Sequence, residues 1–141
     1  MFLIDTDVLS ALAKRRRDAN VENWISRQRS SDLFLSVISI GEIERGIALQ
    51  RGKDPNFAAM LASWLDQVLT VYGDRVLLFD LPSARRWGQL SAALGYHGAD
   101  LQIAATALEH GLTVVTRNTS DFELTGVSVL DPFSLSPRRK P

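Results

Sequence analysis

The 141 residues suit one domain, and an apolar content of 45% is enough for a single packed core. Sixteen basic and sixteen acidic side chains cancel, so bulk charge attracts no polyanion, and a nucleic acid would have to be held by local arginines or by metal ions. The lack of cysteine excludes a disulfide framework, a thiolate zinc site and a cysteine nucleophile, and His97 and His110 are too few for a histidine-rich zinc site.

The chain opens on a short strand pattern, FLID, with no basic n-region before it, so no signal peptide is expected. DVLSALAKRRR and VENWISRQRS have apolar spacings that predict two short helices. LFLSVISI reads as a strand up to Ser36 or Val37, followed by a helix over GEIERGIALQRG. Lys53 to Asn56 forms a loop in which Pro55 suits the first turn of a helix through FAAMLASWLDQVLTVY. RVLLFD is a third strand, ended by Pro82, with a helix over SARRWGQLSAAL. Tyr96-His97-Gly98 interrupts before ADLQIAATALEHG, a helix apolar nearly all round and therefore buried. Gly111 ends it; TVVT is a fourth strand and VSVL a short fifth. The expected fold is α/β, a single three-layer α/β/α domain over residues 1–133 with a mostly parallel central sheet; residues 134–141 form a basic, mobile tail. No apolar run approaches the roughly 20 residues of a membrane span, so a soluble cytoplasmic protein is expected.

Four acids lie where strands hand over to helices or loops: Asp5, Glu42, Asp100 and Asp121. Each has a structural alternative. Asp5, in Asp5-Thr6-Asp7, can cap the next helix; Ser39 to Glu42 matches a capping box; Asp100 suits the positive end of its helix; Asn118 to Asp121 is ordinary turn composition. Capping does not explain why all four fall at the ends of strand-helix units on one side of a sheet, where α/β folds place their ligands. Converged carboxylates repel, and a hard divalent cation relieves the repulsion.

With the residues around those acids included, IDTDVLSAL, LSVISIGEIERGI, ADLQIAATAL and HGLTVVTRNTSDF resemble the successive motifs of PIN-domain ribonucleases of the VapC and FitB type, the toxins of type II toxin–antitoxin pairs. The resemblance runs from Met1 to about Phe133. It implies a metal-dependent endoribonuclease using Mg²⁺ or Mn²⁺, with Asp5, Glu42, Asp100 and Asp121 as catalytic metal ligands and Thr116 and Asn118 as the polar pair that supports them. It also implies an RNA substrate, a homodimer, and a VapB-like DNA-binding antitoxin covering the acidic groove. Asp7 departs from the pattern, since relatives commonly carry Asn or another uncharged polar residue there, and it adds a fifth acid as a candidate support for the site.

Arg117 and Arg45 are candidate RNA contacts. Lys14-Arg15-Arg16-Arg17 can meet phosphates or end a solvated helix, while Arg85 and Arg86 read first as surface residues and His97 as an exposed loop residue. Trp24, Trp64 and Trp87 lie in predicted helices and suit packing. Two other functions compete. Asp5-Thr6-Asp7-Val8-Leu9 nearly copies the opening motif of haloacid dehalogenase-like phosphatases, in which Asp5 would be the nucleophile, but Lys14, Lys53 and Lys140 are badly placed for that family's phosphate-binding lysine. The other is a non-catalytic PIN-fold binding module.

Overall fold

The computed structural model describes residues 1–13 and 17–134. Its five strands form one sheet in the order β3-β2-β1-β4-β5, and every neighbouring pair is parallel. The strands are β1 (Phe2–Ile4), β2 (Leu33–Ser36), β3 (Val76–Leu77), β4 (Thr113–Val115) and β5 (Val129–Leu130). The helices are α1 (Thr6–Ala11), α2 (Ala19–Ser26), α3 (Val37–Arg51), α4 (Pro55–Tyr72), α5 (Leu81–Leu94), α6 (Ala99–His110) and α7 (Thr119–Glu123).

The alternation of side chains along each strand separates two buried clusters. Ile4, Leu33, Leu35 and Val115 point to one face and pack with Val8, Val21, Trp24, Ile47 and Leu65 from α1 to α4. Leu3 and Val114 point to the other and meet Ile103, Ala104 and Ala107 of α6 and Phe122 of α7. Covering both faces requires continuously apolar strands, as FLI and TVV are. Polar residues define where the helices start: Asp18 accepts from the amides of Asn20 and Val21, Asp54 from Phe57 and Asp80 from Ser83. Gly111 closes α6 at φ 64°, a conformation that any β-carbon would strain.

Several boundaries differ from those expected. Helix α3 begins at Val37, four residues before Gly41, because the Ser36 hydroxyl accepts from the Ile38 amide and turns the chain out of the strand. The β-branched Val37 suits continued strand, yet the chain is already helical there, and Ile38 and Ile40 are drawn into the two opposite clusters as helical residues. Glu42 therefore lies in the second turn, and the capping-box alternative for Ser39 to Glu42 fails. Strand β3 is only Val76–Leu77; Pro82 belongs to the first turn of α5 rather than ending a strand. The stretch read as a turn, Asn118 to Asp121, opens the short helix α7. Helix α1 stops at Ala11, and residues 14–16 of the basic run, like 135–141 of the tail, lie outside the described residues.

The chain runs outward from β1 through β2 to β3, then returns to the far side of β1 as β4. This reversal opens a crevice at the carboxyl ends of β1 and β4, the position where parallel sheets accept ligands. The Asp5 amide donates to Val115 O at 2.9 Å, so the residue after β1 is still tied to β4.

Candidate active site

Asp5 is 4% exposed and stands at that switch point. One carboxylate oxygen accepts from the Thr6 amide and the other from the hydroxyl of buried Thr116, each at 2.8 Å. The same Thr116 oxygen accepts from the Asn118 amide at 2.9 Å, and Asn118 Nδ2 donates to Asp121 at 2.8 Å while lying 3.5 Å from Asp100. On the other side the Thr6 hydroxyl donates to Glu42 Oε1 at 2.6 Å and lies 2.8 Å from Ser39 Oγ. A threonine has one hydroxyl proton and the carboxylate takes it, so Ser39 supplies the proton of the second bond.

These contacts join Asp5, Glu42, Asp100 and Asp121 through Thr6, Thr116 and Asn118. Glu42 reaches the group from one turn inside α3, and Asp100 from the first turn of α6. Thr6, Ser39 and Tyr96 were not singled out from the sequence. In the sequence Thr6 is a neutral residue between two acids, Ser39 fits a capping pattern, and Tyr96 lies in the break before α6.

The electrostatics are unfavourable without a cation. Burial first, then the charge of Asp7, raises the Asp5 pKa from 3.8 to about 7 against the opposing hydrogen bonds of Thr116 and Thr6. Asp100 is raised by burial and then by Glu42, Asp121 and Asp7. The Tyr96 phenol is raised by burial and then by the charges of Asp121 and Asp100. The ion pairs among the described residues are Arg17–Glu22, Arg29–Asp32, Arg75–Asp74 and Arg86–Glu109, so none neutralises a site acid. Oxygen donors of this kind, unneutralised and partly desolvated, fit a hard divalent ion. Among the described residues no three acidic or histidine side chains are closed to ligating distance of one point.

Other candidates fall elsewhere. Arg45 is exposed on α3 and makes no ion pair among the described residues. The Arg117 backbone borders the crevice, but its guanidinium lies 3.7 Å over the Phe133 ring. Arg86 pairs with Glu109 at 2.6 Å near the far end of α6 from Asp100. His97 is exposed, as expected. Trp24 packs edge-on against Phe2, and Trp87 against Phe79. Trp64 lines an apolar groove of about 260 Å³ with Ile43, Ile47 and Phe57; Thr6 and Glu42 also line it, so the groove reaches one of the four acids.

A family model of the PIN domain matches residues 2–126. The chain belongs to the PIN-domain family. This PIN domain is 38% identical over 140 residues to a VapC ribonuclease of Sinorhizobium fredii, covering 94% of the chain and 98% of that relative. It is 36% identical over 140 residues to the toxin FitB of Neisseria gonorrhoeae, covering 94% and 99%. A solved structure of FitAB bound to a DNA fragment superposes with a TM-score of 0.84 at 30% identity, covering 99% of this chain and all of that one. PIN-domain ribonucleases depend on divalent metal ions, for which the acids of this PIN domain supply the donor chemistry.

Proposed function

We propose that the protein is a metal-dependent endoribonuclease, the toxin of a toxin–antitoxin pair, and that Mg²⁺ or Mn²⁺ is held by Asp5, Glu42, Asp100 and Asp121. The observation that carries this reading is the meeting of these unneutralised acids with Thr116 and Asn118 at the switch point between β1 and β4. Held by these four acids, a divalent ion would acidify a water for attack and would offset charge at the scissile phosphate. The side chains do the positioning. Thr116 fixes Asp5, Thr6 fixes Glu42, and Asn118 fixes Asp121 beside Asp100. No protein nucleophile is required. The phosphatase alternative asks Asp5 to attack and Asp7 to shuttle a proton, yet Asp5 is almost wholly buried and Asp7 accepts from two backbone amides.

The catalytic domain comprises residues 1–133, with 134–141 a basic tail, and it acts in the cytoplasm as a homodimer. No helix among the described residues is long and apolar enough to cross a membrane. The apolar groove beside the acids suits an amphipathic segment of a DNA-binding antitoxin, with apolar residues against Phe57 and Trp64 and a basic residue toward Glu42. Purified, antitoxin-free protein incubated with total RNA and Mg²⁺ or Mn²⁺ should produce mapped internal cuts. Chelation should abolish them, and Asp5→Asn, Glu42→Gln or Asp100→Asn should severely reduce them. Folded variants that cut at the wild-type rate would remove the proposed site.

A further inference from the structure

Among the described residues, Asp7 is the one acid at the crevice whose two oxygens both face backbone donors. Its Oδ1 accepts from the Val8 amide at 2.7 Å and its Oδ2 from the Arg117 amide at 3.0 Å. Thr116 Oγ1 is also 3.4 Å from Oδ2, but its single proton goes to Asp5 at 2.8 Å. We propose that Asp7 is a positioning residue and not a metal ligand, an acceptor-only clamp that fastens the turn after β4 to the turn after β1. The inference rests on the metal-nuclease reading.

Arg117 stands between Thr116 and Asn118, the two residues that hold Asp5 and Asp121, so whatever fixes the Arg117 backbone sets both. It is gripped from two sides. Asp7 takes its amide, and Phe133 takes its guanidinium; the Phe133 carbonyl in turn accepts from Asn20 Nδ2 at 2.8 Å, which anchors the ring to the start of α2.

The clamp also explains why an aspartate suits this position. Both partners are N–H groups, and a carboxylate offers an acceptor to each; an asparagine offers one oxygen and turns its amide hydrogens toward the other donor. A charged acceptor also forms the stronger bond.

The test measures amide hydrogen exchange and Mn²⁺ binding on antitoxin-free protein without RNA. Asp7→Asn, being isosteric, should speed exchange at Val8 or Arg117 by about tenfold or more, and Asp7→Ala should do so at both. Titrated with Mn²⁺ alone, both variants should keep the wild-type stoichiometry, whereas Asp5→Asn should lose binding. With RNA, Asp7→Asn should lower kcat and leave KM within about twofold, since an aligned site and not substrate affinity is disturbed. Unchanged exchange at both amides would overturn the clamp. A loss of Mn²⁺ binding in Asp7→Asn equal to that in Asp5→Asn would make Asp7 a ligand and overturn the proposal too. A wild type that binds no divalent ion would instead sink the metal-nuclease reading, and the exchange data would still decide the clamp.

Discussion

Removing the charge at Asp5 should stabilise the metal-free fold while destroying its metal response. Asp5→Asn keeps the shape of the side chain, and the new amide oxygen can still accept from the Thr6 amide. Its NH₂ would face Thr116 Oγ1, which can accept it and turn its own proton toward Asp7 at 3.4 Å. In the wild type the pKa stands at about 7 against 3.8 in the unfolded chain. A carboxyl whose folded pKa is raised favours the fold in its protonated form. That contribution is complete below pH 3.8, is lost as pH rises through about 7, and does not change further above it. The span corresponds to about 4 kcal/mol, or about 10 °C in Tm for a domain of this size. The assay is thermal unfolding of wild type and variant in chelator from pH 4 to 9. The variant should melt about 10 °C higher than wild type at pH 8 and no higher near pH 4. Addition of Mn²⁺ at pH 8 should raise the wild type and leave the variant unmoved. A variant that is less stable than wild type at pH 8 without metal would refute the reasoning, because Asp5 would then be held by favourable contacts rather than opposed by burial and repulsion.

At a concentration 100 times its dissociation constant, Mn²⁺ should stabilise the wild type by about 2.7 kcal/mol, read as a Tm rise of several degrees; the rise should be smaller in Asp100→Asn, whose metal-free Tm should be unchanged or higher. Thr116→Val removes a hydroxyl that donates to the buried Asp5 carboxylate and accepts from the Asn118 amide; it should cost about 1–3 kcal/mol in denaturant unfolding at pH 8 and move the Asp5 titration, followed by carboxyl NMR, further upward. Expression without a partner should arrest growth of a bacterial host, and Asp5→Asn should relieve the arrest; equal toxicity of the two forms would separate the growth effect from catalysis.

The sheet and its buried helix were legible because their signals are local. FLI and TVV are apolar without alternation, ADLQIAATAL is apolar on nearly every side, and burial on both faces demands both patterns. Asp5 and Asp100 stood out because each directly follows a strand or opens a helix. Local signals misplaced the start of α3, where Val37 favours a strand by composition but the chain is already helical, with Ile38 and Ile40 recruited into two separate cores. They also concealed α7 behind turn composition and overextended β3, an edge strand whose following Leu78 is 67% exposed. What the tertiary structure alone decided is which groups face one another. The crossover from β3 to β4 sets Thr116 against Asp5 across 111 positions of sequence, and the packing of α3 on α1 sets Glu42 and Ser39 against Thr6. Such pairs depend on strand order and on helix rotation about its axis, which no window of neighbouring residues contains. The same cause set the Asp7 carboxylate against the Arg117 amide and laid the Arg117 guanidinium over the Phe133 ring.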